Sequence, residues 1–290
     1  MPISSPTDGF RLTYDDHPAG AGDAASVVLL HGWPGDRNDH RELVARLSGR
    51  CRIVVPDLRG FGESDGPAGA AASEFAAAAQ ARSVLALVEE LAIGPVVLAG
   101  YDIGSRIAQA AARARPDLVR ALVVSPPLPG PGERVLTPDA HREFWYQAFH
   151  QLDLAEQLLD GSRAAVRAYL AHFWSHWSGP AFEPDPAELD RLADSYARPG
   201  AFVASINWYR AGSGAIAQSL AELAPAPADR LAVPTTVLWP EHDPLFPRAW
   251  SDRLEQFFTD VELRPLDGVG HFAPLEAPDT FAAAIEERVA

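Results

Sequence analysis

Short apolar runs alternate with longer stretches of helical period over the first half of the chain. Phe10 to Asp16 alternates apolar and polar positions and reads as an early strand. Ala25 to Leu30, Arg52 to Val55, Pro95 to Ala99 and Leu118 to Ser125 are short and almost wholly apolar, as strands buried on both faces are. Helical patterns lie between them, over about Ser73 to Leu91 and from Ser105 to about Arg115. Such a succession predicts an α/β fold with a mostly parallel sheet flanked by helices. The pattern breaks at Pro126-Pro127-Leu128-Pro129-Gly130-Pro131-Gly132, where the chain leaves the sheet. From there to about Pro227 it is helical and rich in aromatics, with no buried strand. Sheet-like runs return at Thr235 to Trp239 and Val261 to Pro265, and a last helix begins near Asp279. The expected organisation is a core of residues 1–131 and 228–290, with an inserted helical cap over 132–227.

Composition narrows the classes of partner. The formal net charge is -15 and all 24 basic residues are arginine, which argues against a nucleic-acid partner. No apolar run reaches the roughly eighteen residues that span a bilayer, and Met1 to Phe10 has no basic start or apolar core. A cytoplasmic, non-membrane protein is expected. Its single Cys51 forbids an internal disulfide and opens a buried strand, so it reads as a small core residue. The expected partner is a small-molecule substrate, and a homodimer stays open.

The chemistry concentrates at Gly100-Tyr101-Asp102-Ile103-Gly104, between an apolar strand and a helix. A strand, a Gly-x-nucleophile-x-Gly turn and a helix resemble the nucleophile elbow of the α/β-hydrolase fold. The usual serine is replaced by Asp102. Serine must lose a proton to attack, whereas a carboxylate is ionised at neutral pH. A carboxylate suits displacement at saturated carbon and leaves an ester that water must cleave. The elbow therefore points to epoxide opening or carbon–halogen cleavage rather than to peptide or ester hydrolysis.

Two further residues follow in the chain order of that fold, nucleophile, acid, base. Asp243 comes just after the strand at Thr235 to Trp239, and His271 lies in Gly268-Val269-Gly270-His271-Phe272, before the last helix. His271 is expected to deprotonate the water that attacks the ester, and Asp243 to orient its imidazole; Glu241 is a weaker candidate for the orienting acid. The loop His31-Gly32-Trp33-Pro34 is expected to supply an oxyanion-hole amide at Trp33, alongside that of Ile103. No metal spacing is evident among the His, Cys and carboxylate residues, and neither metal nor organic cofactor is expected.

With these segments in place the chain resembles the soluble epoxide hydrolases. The resemblance extends to Asp57 to Ser64 and two cap segments, Tyr146-Gln147 and Asn207-Trp208-Tyr209-Arg210. It implies that Tyr146 and Tyr209 hold the epoxide oxygen and protonate it as the ring opens. A phenol stays protonated at neutral pH and can do so. His31, Trp145, His150 and Phe272 are expected around the substrate, although His31 reads first as a buttress of its loop. The aromatic cap agrees with an apolar epoxide. Fluoroacetate dehalogenases are similar too: Arg106 fits one of their carboxylate-binding arginines, but Ile103 replaces the other and Phe144 stands where they have His. Haloalkane dehalogenases use side-chain donors for the halide, which Ile103 lacks. A non-catalytic ligand-binding member of the superfamily is the third alternative.

Overall fold

The computed structural model describes residues 1–20 and 25–290. Seven strands form one sheet: β1 (Tyr14–His17), β2 (Val27–Leu30), β3 (Ile53–Pro56), β4 (Val96–Gly100), β5 (Val119–Val124), β6 (Thr235–Pro240) and β7 (Val261–Leu266). Their order is β1-β3-β2-β4-β5-β6-β7. β1 pairs antiparallel with β3, and every other pairing is parallel.

The apolar runs of β2, β3 and β4 are continuous because each of these strands feeds two cores. Val28, Leu30, Val54, Leu98, Leu122 and Val124 face one core, while Val27, Leu29, Ile53, Val97, Val123 and Leu238 face the other. The first face is covered by α2 (Ala77–Glu90) and α3 (Ile103–Ala114), the second by α1 (Arg41–Leu47) and the last helix of the chain. The chain thus shows the parallel, doubly covered sheet of an α/β-hydrolase fold.

Between β5 and β6 the described chain is helical: α4 (Pro138–Glu143), α5 (Trp145–Phe149), α6 (Asp153–Leu159), α7 (Arg163–Trp177), α8 (Pro186–Tyr196), α9 (Ala201–Arg210) and α10 (Ala215–Ala221). This insertion is fastened to the core at polar points. Tyr196 Oη accepts from the Gly35 amide at 3.0 Å and donates to its carbonyl at 2.8 Å. Arg191 reaches both carboxylate oxygens of Asp36 at 2.8 and 2.9 Å, and Trp174 Nε1 donates to the Pro34 carbonyl at 3.1 Å.

Two local expectations are corrected. The early strand begins at Tyr14, not Phe10, because Phe10 and Leu12 bond instead to Thr7 and Ser4 of the N-terminal segment. The helix expected from Ser73 starts at Ala77, after a separate 3₁₀ turn over Ala72–Phe75. The last helix, α12 (Pro278–Val289), begins where the sequence places it, and a short α11 (Ala273–Glu276) stands between it and the His271 loop. Among the described residues no helix is long and apolar enough to cross a membrane.

Candidate active site

Parallel strands bring their carboxyl ends to one edge of the sheet, where α/β proteins place their chemistry. The loops after β2, β4, β6 and β7 leave that edge, and they carry Trp33, Asp102, Asp243 and His271. Asp102 itself has φ 49° and ψ -127°, outside the ordinary regions for an L residue. Such a backbone costs about 1–3 kcal/mol and persists where neighbours fix it. Here the Asp102 amide donates to the Pro126 carbonyl at 3.0 Å, and α3 begins at once with Ile103. The turn needs two close approaches. A Cβ on Gly104 would collide with the Leu30 carbonyl oxygen, and one on Gly32 would sit 2.6 Å from the Tyr101 ring. Tyr101 is pinned in turn by its hydroxyl, which donates to Asp39 Oδ2 at 2.6 Å.

The three titratable side chains meet behind this turn. His271 Nδ1 lies 2.9 Å from Asp243 Oδ2, and His271 Nε2 lies 3.3 Å from Asp102 Oδ2. The Nε2 contact has the distance of an ion pair without hydrogen-bond alignment. Asp243 Oδ1 accepts from the Leu245 amide at 2.8 Å and from that of Phe246 at 3.3 Å, which fixes its plane. All three residues are buried. Burial favours a neutral imidazole, but the carboxylates of Asp243 and Asp102 outweigh it and raise His271 to about 10. Asp102 Oδ1 accepts from the Trp33 amide at 2.8 Å. The Ile103 amide is among the first N–H groups of α3, which have no partner within the helix.

On its far side Asp102 borders a cavity of about 10 Å³, room for roughly one water. Ile103, Arg106, Tyr146, Gln147, Tyr209 and Phe246 are among its walls. Tyr146 and Tyr209 are both buried and cross edge to face, with ring centroids 5.5 Å apart. Burial first, and then nearby charge including that of Asp102, raises both phenols above their usual range. They are proton donors throughout neutral pH. Gln147 Nε2 donates to Tyr146 Oη at 3.2 Å, turning the hydroxyl proton elsewhere.

The four residues expected around the substrate lie outside this lining. His31 is fully buried, its Nδ1 donating to the Gly32 carbonyl at 2.9 Å and its Nε2 accepting from the Leu58 amide at 3.1 Å. It buttresses its own loop. Trp145 points outward and is 42% exposed. Phe272 stacks on Trp174 with centroids 5.0 Å apart. His150 stands behind the tyrosines, 4.8 Å from the Tyr209 ring by centroids, with Nε2 3.0 Å from Tyr169 Oη; burial lowers its pKa well below the usual histidine range.

Reading the sequence missed two polar residues beside the site. Gln147 was visible only as the neighbour of Tyr146. Glu276 gave no signal, yet its carboxylate accepts from the amides of Gly270 at 2.7 Å, Phe272 at 3.1 Å and, in the insertion, Gly179 at 2.9 Å. With the His271 amide donating to the Trp177 carbonyl at 2.8 Å, it ties the His271 loop to the end of α7.

Comparisons agree with this architecture. The alpha/beta hydrolase fold family model matches residues 25–278. A soluble epoxide hydrolase of Corynebacterium sp. strain C12 is 28% identical over 284 residues, 93% of this chain and 91% of that protein. Haloalkane dehalogenase 2 of Mycobacterium tuberculosis H37Rv is 28% identical over 287 residues, 96% of this chain and 91% of that protein. A solved structure described among novel epoxide hydrolases from metagenomes of hot environments superposes with TM-score 0.82 at 25% identity, covering 100% of this chain and 98% of its own. The family match runs from β2 through the insertion to the His271 loop, and this chain is accordingly a member of the α/β-hydrolase fold family and a hydrolase.

Proposed function

We propose that the protein hydrolyses an epoxide to a vicinal diol through an ester on Asp102, with residues 132–227 as a cap domain over the site. The observation that carries this reading is that Asp102 and two protonated phenols, Tyr146 and Tyr209, line one cavity. A carboxylate facing two acids suits a ring whose carbon takes the nucleophile while its oxygen takes a proton. Asp102 Oδ2 attacks the carbon, the ring C–O bond breaks, and a tyrosine supplies the proton. Oδ1, already held by the Trp33 amide at 2.8 Å, remains as the ester carbonyl oxygen.

The second half follows from charge. With two carboxylates beside it, His271 rests as an imidazolium. Ester formation removes the Asp102 charge 3.3 Å away, so the imidazolium becomes more acidic and yields its proton, which reaches the tyrosinate through solvent and restores the phenol. The neutral imidazole then takes a proton from water as that water attacks the carbonyl carbon of the Asp102 ester. The amides of Trp33 and Ile103 hold the oxyanion, each such donor being worth about 2.7–4 kcal/mol of barrier. The diol leaves with the proton from His271, and the regenerated Asp102 acid recharges the imidazole.

A dehalogenase site is less well supported. Trp33 Nε1 already donates to Ser205 Oγ at 3.4 Å. Arg106 is held by Glu222 Oε1 at 2.6 Å and by the Leu128 carbonyl at 3.1 Å. The test is intact-protein mass spectrometry of His271→Gln after exposure to a panel of epoxides and, separately, to fluoroacetate. An adduct with the full mass of an epoxide, absent in Asp102→Asn, is expected. An adduct of fluoroacetate less fluoride would establish the dehalogenase instead. No adduct from either would count against both reactions with these substrates and favour the ligand-binding member of the superfamily.

A further inference from the structure

The cavity at Asp102, about 10 Å³, is too small for any epoxide beyond its reacting atoms. The missing room lies next to it. A second cavity of about 260 Å³ opens between α5, α9 and α10, and Gln147 and Tyr209 are walls of both. Its outer rim, Ala148, Gln151 and Ala217, is exposed, while Gln147, Tyr209 and Gly214 at the inner end are buried. It is therefore a passage from the surface toward the nucleophile, closed at its inner end by two side chains.

The chemistry of that passage is apolar. None of its lining side chains is charged. The amide groups that border it are already engaged: Gln147 donates to Tyr146 Oη and accepts from the Ile216 amide at 3.3 Å, and Gln151 Nε2 donates to the Tyr209 carbonyl at 2.7 Å. Ala148, Gly214, Ile216, Ala217 and the Tyr209 ring make up the rest. Leu220, one turn beyond Ile216 and Ala217 and 44% exposed, extends the apolar rim outward. A cavity of similar size elsewhere, about 270 Å³, instead carries Glu63 and Arg198.

We infer that this cavity is the subsite for an apolar tail. The substrate is then an epoxide at or near the end of an alkyl chain, with the ring at Asp102 and the chain passing Gly214 to the surface. Gly214 is the gate. Its φ of -65° and ψ of 153° are open to any residue, so its lack of a side chain is not a backbone requirement. An added Cβ would stand 2.7 Å from Gln147 Oε1 and 3.2 Å from Tyr209 Cδ1, wedging against the two side chains that close the passage. This inference rests on the epoxide reading above, and its test separates the two.

The test uses unbranched terminal epoxyalkanes of increasing length and, in parallel, the matching unreactive alkyl carboxamides, whose carbonyl offers Tyr146 and Tyr209 an acceptor. For the wild type, kcat/KM and carboxamide affinity should each rise about fourfold per methylene buried, until the chain reaches the rim. Ala217→Trp, at an exposed position, should flatten both series. Gly214→Ala should lower kcat/KM for chains that reach the gate. A wild-type affinity independent of chain length, or a slope unchanged in Ala217→Trp, would overturn the subsite. Length-dependent carboxamide binding without turnover of any epoxide would uphold the subsite and remove the reaction assigned to it.

Discussion

Replacing Asp102 by Asn deletes one charge and little volume, and its effect on His271 can be worked out beforehand. The imidazole Nε2 lies 3.3 Å from Asp102 Oδ2, and the group titrates at about 10. Opposite unit charges at that separation attract by about 1 kcal/mol in water and about 5 kcal/mol at an effective dielectric near 20. At about 1.4 kcal/mol per pKa unit, the variant should titrate in the range of roughly 6 to 9. Selective ¹³C labelling of histidine and NMR titration would follow the ring directly, with the signal identified by its loss in His271→Gln. The same change has a thermodynamic consequence. Because the folded value lies above the ordinary 6.5, the imidazolium stabilises the fold fully below pH 6.5, and that contribution is lost as pH rises from 6.5 to about 10. In Asp102→Asn the window should contract toward its lower end, so thermal unfolding midpoints should fall less steeply above pH 7 than in the wild type. A His271 signal that still titrates near 10 in the variant would refute the claim that Asp102 holds the proton in place, and with it the proposed switch from imidazolium to base.

Other perturbations test different parts of the site. Tyr146→Phe and Tyr209→Phe should each slow ester formation by about a hundredfold or more, read as single-turnover adduct formation in the His271→Gln background. Gly104→Ala should cost about 1–3 kcal/mol or more in urea unfolding, since the added methyl collides with the Leu30 carbonyl oxygen. Glu276→Gln removes an acceptor from the loop that carries His271. It should cost about 1–3 kcal/mol in the same assay and lower kcat more than it raises KM, because the loop positions the base rather than the substrate.

The inner strands β2, β3 and β4 were legible because burial on both faces leaves no polar position in them. Val27-Val28-Leu29-Leu30 can send alternate residues to two cores only if all four are apolar. The alternation at Phe10 to Asp16 misled at its start because it reports burial and not the partner: Phe10 and Leu12 are buried against the N-terminal segment, and pairing with β3 begins only at Tyr14. Within the site, position along the chain was sufficient for residues anchored to strand ends, such as Asp102, Asp243 and His271. It was not sufficient on helices. Trp145 and Tyr146 are adjacent in α5, where successive side chains point about 100° apart, so one aromatic faces solvent and the other the cavity. Nothing in the dipeptide decides which. Glu276 lay beyond reach for another reason. Its role is to accept backbone amides from two loops, and backbone groups carry no residue identity to read.

One substitution at the elbow reorganises the timing of the whole proposed site. With serine at position 102, His271 would stand beside the single carboxylate of Asp243, and a neutral base would be needed from the outset to activate the hydroxyl. With aspartate the nucleophile is ready by itself, and its charge keeps the imidazole protonated. In the proposed reaction the base is therefore disarmed while Asp102 is free and armed only once Asp102 is esterified. Water activation is confined to the one state in which there is an ester to cleave. The same charge helps keep Tyr146 and Tyr209 protonated while the epoxide is intact, and esterification removes it when the phenols have given up their proton. Acid and base thus exchange roles through the charge of a single carboxylate, with no movement of the backbone required.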